Sequence, residues 1–198
     1  MNSSTRYLVV DVETSGLPPR HSQYKKYHDP KHFEMYNSCR VIELAFSSRV
    51  ITKSETNVHF DIKKYSSIVK PENFVIENDF IHNISNTNAI MYGESIGKVL
   101  DMFMNEVKKV DVIVAHNIQF DAFTILAELY RLGRDDDATI FNNKIWYCTM
   151  LHGMEYLKTT RWPKLIALHH SMYPQTNIVQ SHRAMDDVIL CQDCFVNM

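Results

Sequence analysis

The apolar run Tyr7-Leu8-Val9-Val10 passes directly into Asp11-Val12-Glu13-Thr14, and no other stretch constrains the fold of this chain as tightly. An apolar run of this kind reads as a buried strand. Side chains alternate along a strand, so Asp11 and Glu13 must emerge on the same face, about 7 Å apart along the backbone. Two carboxylates on one face make a place for a cation.

Two further blocks supply what a metal site needs. His116-Asn117-Ile118-Gln119-Phe120-Asp121 follows the run Val112-Ile113-Val114-Ala115, and His182-Arg183-Ala184-Met185-Asp186-Asp187 opens the last helical stretch. Asp-x-Glu-Thr, His-Asn-x-x-Phe-Asp and His-x-Ala-x-x-Asp, in this order, resemble the three exonuclease motifs of the DEDDh (DnaQ-like) 3′-to-5′ exonuclease family. That family includes the proofreading subunits of bacterial replicases and related DNases and RNases. The resemblance runs from about Tyr7 to Val196. One such block is a weak signal; three, with their spacing and flanking strands, are a strong one.

A length of 198 residues with 45% hydrophobic content suits one domain with one core, so residues 1–198 are expected to form a single exonuclease domain. The formal net charge of −2 argues against a protein that coats duplex nucleic acid electrostatically. It leaves room for an enzyme that grips a strand end, where metal ions neutralise the phosphate. Residues 1–6 carry no apolar core of signal-peptide length, and no apolar run approaches the roughly 18 residues of a membrane span. A soluble, intracellular protein, cytoplasmic or nuclear, is expected. Four cysteines are too few and too scattered for a disulfide scaffold. Cys191-Gln192-Asp193-Cys194 has no second such pair, and on a predicted helix it reads as buried free thiols rather than as a zinc or redox site.

Residues 6–12, 40–51 and 57–62 read as strands, the second and third as an antiparallel pair. Residues 93–107 carry Ile96, Val99, Leu100, Phe103, Met104 and Val107 at helical spacing. A fourth strand over 110–115, a helix over 120–132 with Gly133 at its C-cap, a short strand over 144–148 and helices over 163–172 and 184–195 complete the pattern. Strands first, then alternating strand and helix, predict an α/β sheet with helices on its faces. The resemblance implies the RNase H-like fold, a five-stranded mixed sheet in the order 3-2-1-4-5 with strand 2 antiparallel.

Residues 17–39 fit no period. They interleave Arg20, His21, Lys25, Lys26, His28, Lys31 and His32 with Tyr24, Tyr27, Phe33 and Tyr36. Relatives usually pass from the first motif to the second strand through a shorter loop, so this segment reads as an insertion beside the active site. Basic and aromatic residues together suit single-stranded nucleic acid. The alternative is a solvated loop whose aromatics pack on the domain.

Phosphodiester hydrolysis needs an activated water, charge stabilisation on the phosphoryl oxygens and help for the departing 3′ oxygen. Two divalent ions about 3.5–4 Å apart supply these together, and carboxylate ligands suit Mg²⁺ or Mn²⁺. The resemblance implies that Asp11 bridges both ions, that Glu13 and Asp187 complete the site holding the attacking water, and that Asp121 holds the second ion. His182, five residues before Asp187, is the implied general base, imidazole being a side chain suited to taking a proton near neutral pH. Asp186 competes with Asp187, but spacing favours Asp187. His116 is expected to order a loop and is given no catalytic role. Thr14, Ser15, Gly16, Leu17, Ile84, Asn117 and Phe120 are the implied substrate-binding residues. Gly16 would allow a tight backbone approach and Leu17 would pack against the last base. Residues 81–85 resemble the stretch of relatives that lines the nucleotide site, with Asn83 in place of the usual glycine. Trp162-Pro163-Lys164-Leu165 resembles their substrate-proximal helix start, with Trp162 as a core anchor the plainer alternative.

The reading is therefore a metal-dependent exonuclease acting on single-stranded 3′ ends and releasing nucleoside 5′-monophosphates, with DNA preferred over RNA. An RNA-trimming enzyme of the same family and a non-catalytic nucleic-acid-binding protein on the same fold stay open. The second would show a lost ligand, and none is lost. Proofreading would require a polymerase or repair partner that the sequence does not display, and with no tail beyond Met198 to tether one, a free-standing exonuclease is expected. Many relatives form homodimers; nothing in the sequence decides this.

Overall fold

β1 (Ser4–Thr14) is the central strand of a five-stranded sheet ordered β3-β2-β1-β4-β5, in which β2 is Val41–Lys53, β3 Val58–Ile68, β4 Val112–Ala115 and β5 Ile145–Cys148. β2 runs antiparallel to β1 and β3, whereas β4 and β5 run parallel to β1. This is the order and polarity implied by the resemblance. The computed structural model describes residues 4–20, 26–53 and 58–198. His21, Tyr24 and Lys25 of the irregular segment, and Asn57 of the third predicted strand, lie outside them.

Alternation along β1 sorts the core. Leu8, Val10 and Val12 are buried with Phe103 and Met104 of α3 (Ile96–Val107) and with Ile125 and Leu129 of α4 (Ile118–Arg131). Tyr7 and Val9 are buried on the opposite face with Leu168 of α7 (Leu165–Met172) and Val188 and Cys191 of α8 (Ala184–Asn197). Burying one such side chain contributes about 1.5–3 kcal/mol, so each face gives its helical layer a firm seat. Asp11 and Glu13 continue the Tyr7–Val9 face, which carries them towards the layer of α7 and α8.

The predicted elements exist with shifted ends. β1 extends through Glu13 to Thr14, and β3 reaches Ile68 rather than 62. The helix predicted over 93–107 begins at Ile96 because Gly93 is extended and the Ser95 side chain caps the helix by accepting the Lys98 N–H. α4 begins two residues early, at Ile118. It ends on Gly133 at φ +66°, where the Gly133 N–H meets the Tyr130 carbonyl and the Arg134 N–H meets the Leu129 carbonyl. These paired bonds need a left-handed residue, which glycine supplies without a Cβ clash. Four short helices were not predicted: α1 (Asp79–His82), α2 (Asn86–Tyr92), α5 (Asp135–Asn142) and α6 (Thr149–Tyr156). With one to two turns each, they show too little periodicity to read. All four cysteines are free and buried, as expected. Among the described residues no helix is long and apolar enough to cross a membrane.

The described part of the 17–39 segment packs on α4, with a 3₁₀ turn at Phe33–Tyr36. Tyr27 lies against Phe120 and Phe123, the buried Tyr36 hydroxyl donates to the His28 carbonyl at 2.6 Å, and Arg131 donates to the Phe33 carbonyl at 2.8 Å. Its aromatics are thus partly structural.

Glu128 of α4 ties these parts together. It is 1% exposed, receives two hydrogen bonds from Arg40 at 2.7 and 3.1 Å, one from Arg131 at 2.6 Å and the Val41 N–H at 3.3 Å. Removing one member of such a buried group strands the others, at a cost of about 3–5 kcal/mol. Glu128→Ala is therefore expected to lose about 3 kcal/mol or more in urea unfolding followed by circular dichroism, with Glu128→Gln losing less. A loss under about 1 kcal/mol for the alanine variant would contradict this account.

Candidate active site

Three separate parts of the chain bring carboxylates to the end of β1. Asp11 and Glu13 come from β1 and Asp187 from the first turn of α8, and the three offer ligand oxygens within 4.8 Å of one another. Asp121 arrives from the first turn of α4, buried, with Oδ1 accepting the Val12 N–H at 3.2 Å. The β1–β4 ladder covers Tyr7 to Val9 only, so β1 has parted from β4 where Asp121 enters. The geometry thus joins Asp11, Glu13 and Asp187 in one set, with Asp121 behind them on the backbone of β1.

These acids hold one another's protons. Burial, then the charges of Asp121, Asp187, Glu13 and Glu43, raises Asp11 well above the usual carboxylate range. Burial, with Asp187 and Glu43 adding to it, pushes Glu13 from 4.5 to about 8. Asp121 and Asp187 are raised mainly by burial, with Gln180 and His182 opposing the shift at Asp187. Gln180 donates to Asp187 Oδ2 at 2.8 Å, while Asp187 Oδ1 is buried without a partner. An orphaned carboxylate oxygen among like charges, in an all-oxygen donor set, fits a hard divalent cation such as Mg²⁺ or Mn²⁺.

A second acid supports the first set. Glu43 is paired directly across from Glu13 on β2, with a register shift immediately after them. Like charges so placed repel. Arg183 relieves this by donating to Glu43 at 2.7 and 3.0 Å, and the Ala184 N–H donates to Glu43 at 3.1 Å. The buried Glu43 thereby fixes the start of α8, and with it Asp187 and His182. Neither Glu43 nor Arg183 was among the residues singled out from the sequence, although a glutamate inside Val-Ile-Glu-Leu-Ala-Phe was a visible signal.

His182 is exposed, with a left-handed backbone at φ +53°, an uncommon conformation for a non-glycine residue. It lines a cleft of about 790 Å³ with Asp11, Asp187, Asn117 and Trp162. Trp162 is 64% exposed, so it is a cleft wall rather than a core anchor. His116 also borders the cleft, but its Nδ1 pairs with the Thr149 hydroxyl and its Nε2 with the Pro163 carbonyl, each at 3.0 Å. Burial lowers its pKa, and it orders the loop as expected. Asp186 is exposed and accepts a hydrogen bond from Ser181.

On the other side of Glu13 lies a pocket of about 240 Å³ lined by Thr14, Leu17, Ile81, His82 and Phe120. Leu17 is 76% exposed at its rim. One expectation needs correction here. Ile84 is 1% exposed and packs with Ile42, Ile76 and Ala89, so Ile81 and His82 line the pocket in its place. The Ser15 Oγ accepts the Arg40 N–H at 3.0 Å. Gly16 lines the pocket, and a Cβ there would lie 2.6 Å from the Ser38 carbonyl oxygen, so the turn needs glycine for this close approach of chain to chain. Asn83 adopts φ +56° at the end of α1, a left-handed position that asparagine tolerates better than most residues. His82 accepts the Ile84 N–H on Nδ1 at 3.1 Å, leaving Nε2 buried without a partner.

The family model described as Exonuclease (RNase_T) matches residues 8–195. No curated protein matches the sequence significantly. Among solved structures, a moderately thermophilic Exonuclease I from Methylocaldum szegediense is similar at a TM-score of 0.61 and 19% identity, over 97% of this chain and 39% of that one. A 3′-exonuclease studied for 3′-end-specific recognition of the histone mRNA stem-loop is similar at a TM-score of 0.64 and 12% identity, over 98% of this chain and 63% of that one. The chain spans less than two thirds of either, and at these identities the likeness is one of fold.

The raised carboxylates set a pH dependence. Glu13 ionises at about 8 when folded and near 4.5 when unfolded, so its contribution to stability is fully present below about 4.5 and lost as pH rises through about 8. In EDTA, Glu13→Gln is accordingly expected to melt above the wild type at pH 8.5, with the gap closing towards pH 5. Mg²⁺ or Mn²⁺ should raise the wild-type melting temperature more at pH 8 than at pH 6, because protons compete for the same oxygens. Equal metal stabilisation of Asp11→Asn would rule the cluster out as the site.

Proposed function

The chain belongs to the RNase_T exonuclease family, and on that footing we propose that it is a metal-dependent 3′-to-5′ exonuclease hydrolysing phosphodiester bonds at the 3′ end of single-stranded nucleic acid. The observation that carries this reading is the convergence of Asp11, Glu13 and Asp187, backed by Asp121, between a cleft and a nucleoside-sized pocket. Asp11, Glu13 and Asp187 would hold one divalent ion, and Asp11 with Asp121 a second. Two such ions, when bound, supply a water acidified towards neutral pH and a counter-charge for the phosphoryl oxygens.

The remaining steps belong to the chain itself. The terminal nucleoside sits in the pocket between Leu17, Ile81 and Phe120, with the unpartnered His82 Nε2 available to a polar edge of the substrate. His182, at the rim of the cleft beside Asp187, takes the proton of the attacking water. The water oxygen bonds to phosphorus as the bond to the 3′ oxygen breaks, that oxygen takes a proton from solvent, and a nucleoside 5′-monophosphate leaves. The strained backbone at His182 supports a role for its placement, since such conformations persist where neighbouring structure holds them. DNA is the preferred substrate in this reading. RNA is the alternative; the second solved neighbour is a 3′-exonuclease that recognises a histone mRNA stem-loop.

A denaturing-gel time course on matched 5′-labelled single-stranded DNA and RNA, with Mg²⁺, Mn²⁺ or EDTA, tests this reading. A metal-dependent ladder shortening from the 3′ end is expected, with Asp11→Ala and Asp187→Ala inactive but folded. Substantial turnover by either variant, or none by the wild type with any metal, would overturn the assignment.

His182→Ala is expected to lower kcat by about 10²–10⁴-fold with little change in KM. Equal damage to kcat and KM would make His182 a substrate-positioning group instead.

A further inference from the structure

A third concavity lies outside the acidic cluster, between residues 26–31 and the outer face of α4, with a volume of about 510 Å³. Its floor is apolar and aromatic: Tyr27, Pro30, Phe123, Leu126 and Tyr130. Its rim carries Lys26 and Lys31, both exposed, together with the amides of Gln119 and Asn142. Among the described residues neither ammonium is paired with a carboxylate. Asp29, the acid of this lining, is turned to the backbone, its Oδ1 accepting the Lys31 N–H at 2.9 Å. The groove therefore offers flat rings below and unspent positive charge above.

It also neighbours the pocket beside Glu13, with Tyr27 between the two. The Tyr27 ring lies 6.2 Å from that of Phe120, which walls the pocket, and 6.5 Å from that of Phe123, which floors the groove. Phe120 and Phe123 stand on one face of α4, about 4.5 Å apart along its axis. Rings that accept any base face, beside cations that accept phosphate, are the chemistry of sequence-tolerant single-strand binding.

We propose that this groove is a second nucleotide-binding site, holding a nucleotide of the same single strand at least two places to the 5′ side of the scissile bond, where a dinucleotide does not reach. Phe123 or Tyr130 stacks on the base, and Lys26 and Lys31 contact the flanking phosphates. The proposal rests on the exonuclease reading for the direction of the strand. It gives the irregular segment a task beyond packing: the segment supplies one wall of the groove and both of its cations.

The test compares oligodeoxythymidylates of two and eight nucleotides on the wild type and on the double variant Lys26→Glu, Lys31→Glu. Both positions are exposed, so the variant should keep the wild-type melting temperature. Binding is titrated by fluorescence anisotropy in EDTA, where nothing is cleaved, and kcat/KM is measured separately in Mg²⁺. The variant is expected to bind the octamer roughly tenfold more weakly, with a loss of at most about twofold on the dinucleotide. The dependence of log affinity on log salt for the octamer should become shallower by about 1.4, roughly 0.7 for each phosphate contact removed. An octamer bound as tightly by the variant as by the wild type, or equal losses on both lengths, would overturn the groove. If the wild type cleaves both lengths and shows no groove-dependent tightening, the groove fails and the exonuclease stands. If the tightening is present and no strand is ever shortened, the groove stands and the exonuclease reading fails.

Discussion

Four carboxylates at the tip of one buried strand repel each other, and much of the chain holds them together against that repulsion. Asp121 is held by the Val12 N–H, Asp187 by Gln180, and the start of α8 by Glu43 and Arg183. None of these contacts neutralises the cluster; each only fixes a position. The electrostatic cost is therefore left standing in the folded protein, and it is what would give the cluster affinity for a divalent cation in the proposed reading. A scaffold that relaxed to separate the acids would gain stability and lose the site.

Two buried glutamates make such a scaffold rigid. Glu43 and Glu128 hold the start of β2, the first to the N-terminus of α8 through Arg183, the second to α4 through Arg40 and the Val41 N–H. Buried ion pairs add little net stability over well-packed apolar groups, but their fixed hydrogen-bond geometry specifies one arrangement. Here the two elements so fixed are those that carry Asp187 and Asp121. Precision at the site thus follows from charge placed a few residues away, on strands and helices rather than loops.

What was legible in the sequence tracks how local each feature is. The period of two at Asp11 and Glu13 and the helical spacing of α3, α4 and α8 are properties of single segments, and the structure places them as expected. Sheet order depends on long-range pairing and came only from the resemblance. Ile84 was misplaced because nothing in residues 81–85 alone tells which side chain faces the pocket; the packing of Ile84 on Ile42 decides that. Gly16 was correctly marked as a backbone necessity, but the atom that demands it, the Ser38 carbonyl, lies far along the chain. His82 and Gln180 were passed over because their importance lies in an orphaned nitrogen and in one hydrogen bond to Asp187.

The irregular segment shows why a poorly periodic stretch need not be a poorly specified one. Its order comes from α4, through Tyr27 and the carbonyl of Phe33, and from Tyr36, which bonds back to the His28 carbonyl, so one helix face both seats the segment and floors the groove beside it. The same helix carries Asp121 at its N-terminus and Phe120 in the wall of the pocket. A shift of α4 would therefore move an acid of the cluster, a pocket wall and a groove floor together. In the proposed reading that coupling ties strand binding to catalytic geometry through a single element, and Glu128 near its far end keeps that element in register with the sheet.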